Sequence, residues 1–225
     1  AAVEEENEFG FVSVAAGEGV KQLFLDLGVN NVVSGGQTMN PSTDDILAAI
    51  HATPAKHVFV LPNNKNIIMA AEQTINLADR EVIVLQTRSI PEGLAAMLAF
   101  DPDAEARENQ MNMIKAYEKV GTGSVTFAAR DSDFEGHKIK RGDILAMDNG
   151  KLSFVEKDVE KATIKLAKQM MKRDTSFITI IYGEGVTAEE AEKVREEVQK
   201  RAPKNAEVSV LEGNQPVYYY FISVE

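Results

Sequence analysis

The sequence predicts an α/β protein with a parallel-sheet βα part followed by an α+β part with antiparallel strands. In the first hundred residues, four short apolar stretches are each followed by a polar loop and an amphipathic helix. Nearly continuous apolar strands separated by helices are typical of a parallel sheet covered on both faces. After Asp101-Pro102-Asp103 the pattern changes, and Asp148-Asn149-Gly150 is a hairpin turn signal of the kind that joins antiparallel strands.

The first part is predicted to contain four strand–helix pairs. Its first helix carries Val20, Leu23, Phe24 and Leu27 on one face and ends at Gly28, a residue favoured after helices. The predicted strands cover residues 11–14, 31–34, 57–61 and 82–85. The remaining predicted helices cover residues 43–52, 65–78 and 91–100.

A long helix over residues 104–120, ended by Gly121, is predicted to lead into the second part. There, residues 124–130 and 137–140 are predicted to form a hairpin around Glu135-Gly136. Helices follow at 158–172 and 188–201, with strands at 176–182, 207–211 and 217–224. The predicted organisation is an acidic linker (1–10), a parallel α/β part (11–100), a connecting helix (101–121) and an α+β part (122–225).

Composition excludes several classes of function. The net charge of −11 argues against general nucleic-acid binding, which needs basic patches. The chain has no cysteine, so disulfides, thiolate nucleophiles and zinc-thiolate sites are excluded. Its three histidines fall in separate elements and no Ser-His-Asp pattern appears, so we expect neither a metal site nor catalytic residues.

The ends and the hydropathy of the chain indicate a fragment of a larger cytoplasmic protein. Residue 1 is not methionine, and the acidic run 4–8 is predicted to be a solvated linker. No apolar run approaches the roughly 20 residues needed to cross a bilayer, and no signal peptide is evident. A chain without cysteine is compatible with the cytoplasm.

Four polar loops are expected to meet at the carboxyl edge of the predicted parallel sheet, where ligands and partners normally bind. We call this edge the rim; it comprises residues 15–19, 35–43, 62–66 and 87–91. The paired glycines Gly35-Gly36 allow a tight turn, and the polar run after them places donors at the positive end of a helix. The candidate binding residues on the rim are Glu18, Gln37, Thr38, Asn40, Asn63, Asn64, Lys65 and Arg88.

Local structure offers a simpler explanation for part of the rim. Helix capping accounts for Ser42 and Thr43, and a turn with a cap accounts equally well for Asn63 and Asn64. Lys65 and Arg88 precede helices, where a cation opposes the helix dipole, and this favours a functional role. Surface salt bridges are the alternative for both cations.

Five stretches of the sequence resemble the C-terminal region of the A subunit of bacterial fatty acid kinase, a family earlier described as dihydroxyacetone-kinase-like or DegV-like. They extend over almost the whole chain, and the segment 35–43 is the most specific. The matching stretches are 14–19, 35–43, 61–66, 89–96 and 215–220.

This resemblance implies the C-terminal, non-catalytic part of a three-part kinase subunit. In that family, an N-terminal domain holds ATP and magnesium, and the C-terminal region engages a separate DegV-like subunit whose bound fatty acid is phosphorylated on its carboxylate. The present chain lacks the Asp-Gly-Asp-x-Gly type motif of the ATP domain, so ATP and Mg are expected on a missing N-terminal domain and no cofactor is expected here. The expected partners are the missing N-terminal and middle domains and the DegV-like subunit.

Two alternatives remain at this point. The rim could itself bind a small anion or a fatty acid, as a DegV-like carrier does. The chain could instead be a dimerisation module built on the aromatic row Tyr218-Tyr219-Tyr220-Phe221, although core packing is the simpler explanation for that row.

Overall fold

Two main β-sheets form in separate stretches of the chain, as the computed structural model shows for residues 2–36 and 39–225. One compact unit ends at Lys119, and the other is Val120–Glu225. The first unit contains a four-stranded parallel sheet, and the second contains a mixed sheet with antiparallel strands. The predicted fold class is therefore confirmed.

The first unit alternates strands and helices in the predicted order. Its strands lie side by side in the order β2-β1-β3-β4, and every neighbouring pair is parallel. The strands are β1 (Asn7–Ala15), β2 (Asn31–Ser34), β3 (Ala55–Leu61) and β4 (Glu81–Val84). The helices are α1 (Glu18–Asp26), α2 (Thr43–His51), α3 (Ile68–Gln73), α4 (Ile90–Leu98) and α5 (Ala106–Glu118).

The segment before β1 is attached to the first unit, although the sequence predicts a solvated linker up to residue 10. Strand β1 begins at Asn7, which pairs with Ala55 of β3. Upstream, the Val3 backbone N–H donates to the His51 carbonyl at 2.8 Å. The Arg80 guanidinium, whose side chain is 2% exposed, donates to the Val3 carbonyl at 2.7 Å. A buried cation therefore holds this segment in place.

Helix α3 is shorter than the predicted helix over 65–78. At its start, the Asn64 side-chain oxygen accepts from the Asn66 N–H at 2.9 Å, which forms a local turn. At its end, the Thr74 hydroxyl donates to the Ala71 carbonyl at 2.6 Å. Side chains that bond to nearby backbone in this way compete with the helix ladder.

Both faces of the parallel sheet are buried. On one face, aliphatic residues such as Val12, Ile46 and Val60 pack into a core. On the other, the rings of Phe9, Phe11, Phe59 and Phe100 contact one another, with centroids 4.7 to 6.3 Å apart. Burial on both faces explains why these strands read as continuous apolar runs.

The second unit has a six-stranded sheet in the order β11-β10-β12-β5-β8-β9 and a separate two-stranded hairpin. Helices α6 and α7 pack on the six-stranded sheet through residues such as Leu166 and Val194. The strands are β5 (Gly121–Phe127), β6 (Ser132–Phe134), β7 (His137–Ile139), β8 (Ile144–Asp148), β9 (Lys151–Glu156), β10 (Phe177–Tyr182), β11 (Glu207–Glu212) and β12 (Tyr220–Val224). The helices are α6 (Val159–Met170) and α7 (Ala188–Arg201).

One predicted pairing in the second unit is wrong. The turn at Glu135-Gly136 is correct, but β7 pairs with β6 rather than with residues 124–130. Strand β5, which contains most of that stretch, pairs with β12 and β8 inside the larger sheet. The hairpin turn at Asn149-Gly150 is confirmed, because it joins the antiparallel pair β8 and β9 with φ of 50° and 80° at its two residues.

The aromatic row contributes to the core of the second unit. Tyr220 is 2% exposed and Phe221 is 6% exposed, whereas Tyr218 and Tyr219 are half-buried. Strand β12 starts only at Tyr220, later than the predicted start at residue 217. In the part of the chain that the structure describes, no helix combines the length and apolar character needed to span a membrane.

Candidate functional site

The four rim loops lie at one edge of the first sheet. All four strands are parallel, so the segments that leave their carboxyl ends emerge on the same side. The sheet order places the loop after β1 between those after β2 and β3. The topology therefore places the described residues of these loops at the carboxyl edge of the sheet, where the sequence predicts them.

Asn63 is the buried centre of the rim. Its side-chain Nδ2 donates to Ser13 Oγ and to the Val14 carbonyl, both at 2.9 Å. Its Oδ1 accepts from the Thr87 hydroxyl at 2.8 Å, and its backbone N–H donates to that hydroxyl oxygen at 3.0 Å. One asparagine therefore joins the ends of β1 and β3 and the loop after β4. Its φ of 58° lies in the left-handed region, which asparagine tolerates better than most residues.

Gly93 on α4 makes room for this asparagine. A Cβ atom added at Gly93 would collide with the Asn63 side-chain amide. Helix α4 can therefore pack closely over Asn63 only because residue 93 has no side chain. The predicted interpretation of Asn63 as a turn residue describes its backbone, but its side chain organises three neighbouring segments.

A second amide connects the loops after β2 and β3. Asn64 Nδ2 donates to the Gly36 carbonyl at 2.7 Å. The Gly36 N–H in turn donates to the Met39 carbonyl at 3.0 Å. At Gly35, φ is 150°, and an added Cβ would lie 2.8 Å from Pro41 Cδ. Both glycines are needed for this close loop path.

Two of the helices that begin at the rim have side-chain caps. Ser42 and Asp45 form a capping box at the start of α2, with bonds of 3.1 and 2.9 Å. The hydrogen bonds that Asp45 accepts from Ser42 lower the pKa of the aspartate. At α4, Ser89 Oγ accepts from the Glu92 N–H at 3.2 Å, and Glu92 accepts from the Arg88 N–H at 2.8 Å. Burial raises the pKa of Glu92, and these hydrogen-bond and charge contacts with Arg88 oppose the rise.

The outer surface of the rim combines cations with exposed methionines. Lys65 and Arg88 are both exposed, and neither forms a salt bridge within residues 2–36 and 39–225. Met39 and Met69 are 76% and 72% exposed. The Asn64–Gly36 bond and a 2.7 Å bond from the Thr43 hydroxyl to Gln73 Oε1 join the segments that carry these two methionines. Methionine is enriched at protein interfaces and adapts readily to a partner.

The predicted binding residues divide into internal and outward-facing groups. Asn63 and Asn64 use their side chains on other parts of the rim, whereas Lys65 and Arg88 face solvent. Glu18, the first residue of α1, and Asn40, close to α2, are also exposed. Gln37 and Thr38 lie outside the described residues.

Sequence reasoning did not select Ser13, Thr87, Gly93 or the two methionines as site residues, although Met39 and Thr87 lie within the predicted rim loops. Ser13 did carry a signal, since it is a polar residue inside the apolar strand 11–14, and it is fully buried. Thr87 is also fully buried although it lies in a polar loop. Buried hydroxyls need hydrogen-bond partners, so both positions indicated an internal polar contact.

This arrangement is suited to recognition. Fixed loops present cations and flexible apolar side chains at one edge, which fits an anionic or mixed polar and apolar partner. Within residues 2–36 and 39–225, no group of three or more His, Asp or Glu side chains is placed to hold a metal ion.

A family model and a curated relative both match this chain along almost its whole length. The FakA-like family model, which describes the C-terminal region of proteins like the fatty acid kinase A subunit, matches residues 10–225. The chain is 42% identical over 217 residues to protein YloV of Bacillus subtilis, a match that covers 96% of the chain but 39% of YloV. The chain thus spans about two fifths of this relative.

Solved structures share the fold at low sequence identity. The DegV family protein Cg2579 from Corynebacterium glutamicum matches with a TM-score of 0.71 and 15% identity, covering 96% of both chains. Protein TM841 from Thermotoga maritima, described as revealing a fatty acid binding function, matches with a TM-score of 0.68 and 10% identity. That match covers 98% of this chain and 99% of TM841.

Proposed function

Because the chain belongs to the FakA-like C-terminal family of fatty acid kinase, we propose that its rim docks a DegV-like subunit that carries a fatty acid. In this proposal the domain has no catalytic residue of its own. It orients the bound acyl carboxylate toward an ATP- and magnesium-binding domain elsewhere in the kinase, where the carboxylate is phosphorylated. The reaction takes place in the cytoplasm, where ATP is available.

The observation that carries the proposal is the exposed combination of Lys65, Arg88, Met39 and Met69 at the edge where the side chains of Asn63 and Asn64 join the neighbouring segments. Cations without internal salt bridges attract an acidic surface from a distance and align it on approach. The methionines then contribute apolar contact area at short range. Immobilised loops lower the ordering cost of association.

A docking domain of this kind contributes to rate through position. Phosphoryl transfer depends mostly on placing the attacking oxygen in line with the phosphate and on stabilising charge. Correct positioning of the reactants supplies a large part of the reduction in the activation barrier, so a protein surface far from ATP can still control turnover. Loss of docking is therefore expected to lower kinase activity without changing ATP binding.

Calorimetric titration of this domain with an acyl-loaded DegV-like subunit, in the absence of ATP, tests the proposal directly. The double variant Lys65→Ala with Arg88→Ala is expected to weaken binding at least ~5-fold, with a larger effect at low salt. The matched control, Lys172→Ala with Lys204→Ala, removes the same charge from exposed positions in the second unit. Unchanged affinity in the rim variant, or an equal loss in the control, would contradict docking through the rim.

A second candidate function is direct binding of a fatty acid. The fold shared with TM841, which is described as a fatty-acid-binding protein, favours it. Native mass spectrometry of the purified domain separates the two candidates. An acyl chain that copurifies at equimolar amount would support the carrier function, whereas a lipid-free domain that binds the loaded partner would support docking.

A further inference from the structure

Residues 214–219, which we call the strap, run over the carboxyl end of β10 in the second unit. They follow β11 and lead into β12, so they connect two strands that both pair with β10. The Glu184 N–H donates to the Gln215 carbonyl at 2.9 Å, and the Gly183 N–H donates to the Tyr219 carbonyl at 2.8 Å. The strap is therefore bonded to the residues that leave β10.

Val217 gives the strap a strained backbone. Its φ is 71°, a left-handed value that β-branched residues rarely adopt. The Tyr218 N–H donates to the Pro216 carbonyl at 2.7 Å, which closes a three-residue turn around Val217. A three-residue turn with positive φ at its centre is the rare and strained form of the γ-turn. Such strain persists only where surrounding contacts hold the segment.

Gln215 adds a second destabilising feature. The residue is fully buried, and its Nε2 donates to the Ile181 carbonyl at 3.1 Å. Its Oε1 is buried and has no hydrogen-bond partner within residues 2–36 and 39–225. A buried acceptor without a partner regains hydrogen bonds to water when the segment opens. The strained backbone and the buried acceptor thus both raise the free energy of the closed strap relative to the open one.

Several contacts oppose opening, including the Gln215 bond to Ile181 and an Asn214 N–H that donates to the Tyr182 carbonyl at 3.2 Å. Besides the bonds to Gly183 and Glu184, the Thr126 hydroxyl donates to the Val217 carbonyl at 2.8 Å. The Tyr219 N–H donates to the Val125 carbonyl at 2.8 Å. A Cβ atom at Gly183 would collide with the Tyr218 carbonyl, so the closed strap rests directly on the backbone there.

We propose that the strap opens and closes as a unit while the six-stranded sheet stays folded. Opening would release strain at Val217, hydrate Gln215 and uncover the carboxyl ends of the parallel pair β10 and β11. That edge is where α/β sheets normally bind ligands. The strap therefore controls access to this edge of the sheet in the second unit.

Hydrogen–deuterium exchange of the full chain tests the strap, with the amides of Gly183, Glu184 and Tyr219 as reporters. They are expected to exchange together and at least 10-fold faster than the amides between β10 and β12. Val217→Gly relieves the strain and is expected to slow reporter exchange about 5-fold, with an intermediate effect for Val217→Ala. Exchange within the sheet should be unchanged in both variants.

Asn214→Gly is the matched control. Asn214 also has positive φ, at 50°, but asparagine tolerates this region, so glycine there relieves little strain. Its reporter exchange should stay within 2-fold of the wild-type value. If the reporter amides exchange no faster than the amides between β10 and β12, the proposal is overturned. Faster or unchanged exchange in Val217→Gly, or equal slowing in Asn214→Gly, would also overturn it.

Discussion

Replacement of Asn63 by alanine is expected to destabilise the first unit more than any other single change at the rim. The side chain makes three buried hydrogen bonds, of 2.9, 2.9 and 2.8 Å. Truncation leaves the Val14 carbonyl and the Thr87 hydroxyl without this partner, at a cost of about 1–3 kcal/mol each. Alanine at a φ of 58° costs about 1 kcal/mol more. The expected loss is roughly 3–7 kcal/mol, a large part of the roughly 5–15 kcal/mol that stabilises a typical domain.

Two further variants separate the parts of this effect. Asn63→Gly removes the same hydrogen bonds but permits the left-handed backbone, so it should be about 1 kcal/mol less destabilising than alanine. Asn64→Ala is the matched control, because its partly buried side chain makes one bond to the neighbouring loop and its loss should cost about 1 kcal/mol.

Hydrogen exchange of the β1 and β3 amides in increasing urea measures the free energy of unfolding of this unit. A loss for Asn63→Ala no larger than that for Asn64→Ala would refute the assignment of Asn63 as the centre of the rim. If Asn63→Gly loses as much free energy of unfolding as Asn63→Ala, the predicted backbone contribution is refuted, whereas the hydrogen-bond contribution is not.

Three further changes test other parts of the first unit. Gly93→Ala should destabilise the unit by about 1–3 kcal/mol in urea unfolding, because the added methyl group displaces Asn63, and a neutral result would contradict the close packing of α4. Arg80→Leu should make the amides of Val3 and Asn7 exchange at least ~10-fold faster, since it removes the cation that holds this segment. Unchanged exchange would mean that the pairing of β1 holds the segment in place without Arg80. Burial raises the pKa of Glu92, so the native state holds that proton more tightly, and its contribution to stability is present at low pH and lost as pH rises through the raised pKa. Relative to Glu92→Gln, the wild type should therefore lose stability as pH rises from below the ordinary glutamate pKa through the raised pKa in unfolding titrations, and a constant difference would contradict the shift.

The sequence is sufficient for the order of elements in the first unit because each strand–helix pair is encoded locally. Apolar runs, glycine after α1 and the Ser42 cap all act within a few residues. The role of Asn63 could not be predicted in this way, since its partners Ser13 and Thr87 are 50 and 24 residues distant in the chain. Asparagine also favours turns, so its side-chain role is hidden behind a local explanation.

In the second unit, the errors concern strand pairing. The Glu135-Gly136 turn is a strong local signal, but nothing near residues 124–130 indicates that β5 pairs with the distant β12. The strained turn at Val217 likewise has no local signal, because valine normally favours an extended strand. Contacts with residues distant in the sequence hold Val217 in a conformation that valine disfavours.

The central position of β12 has a consequence for how the protein is synthesised. β12 joins β10 to β5 and is the last of the six strands of this sheet to be synthesised, so the sheet cannot be completed until Val224 has emerged. At roughly 5–20 residues per second, translation of the second unit takes about 5–20 s, during which the first unit already has all its strands. The order of synthesis thus lets the first unit fold early, while β5 and β10 each keep one unpaired edge, exposed to chaperones or to aggregation, until β12 is available. A premature stop codon before residue 220 would leave a folded first unit attached to an unfinished sheet.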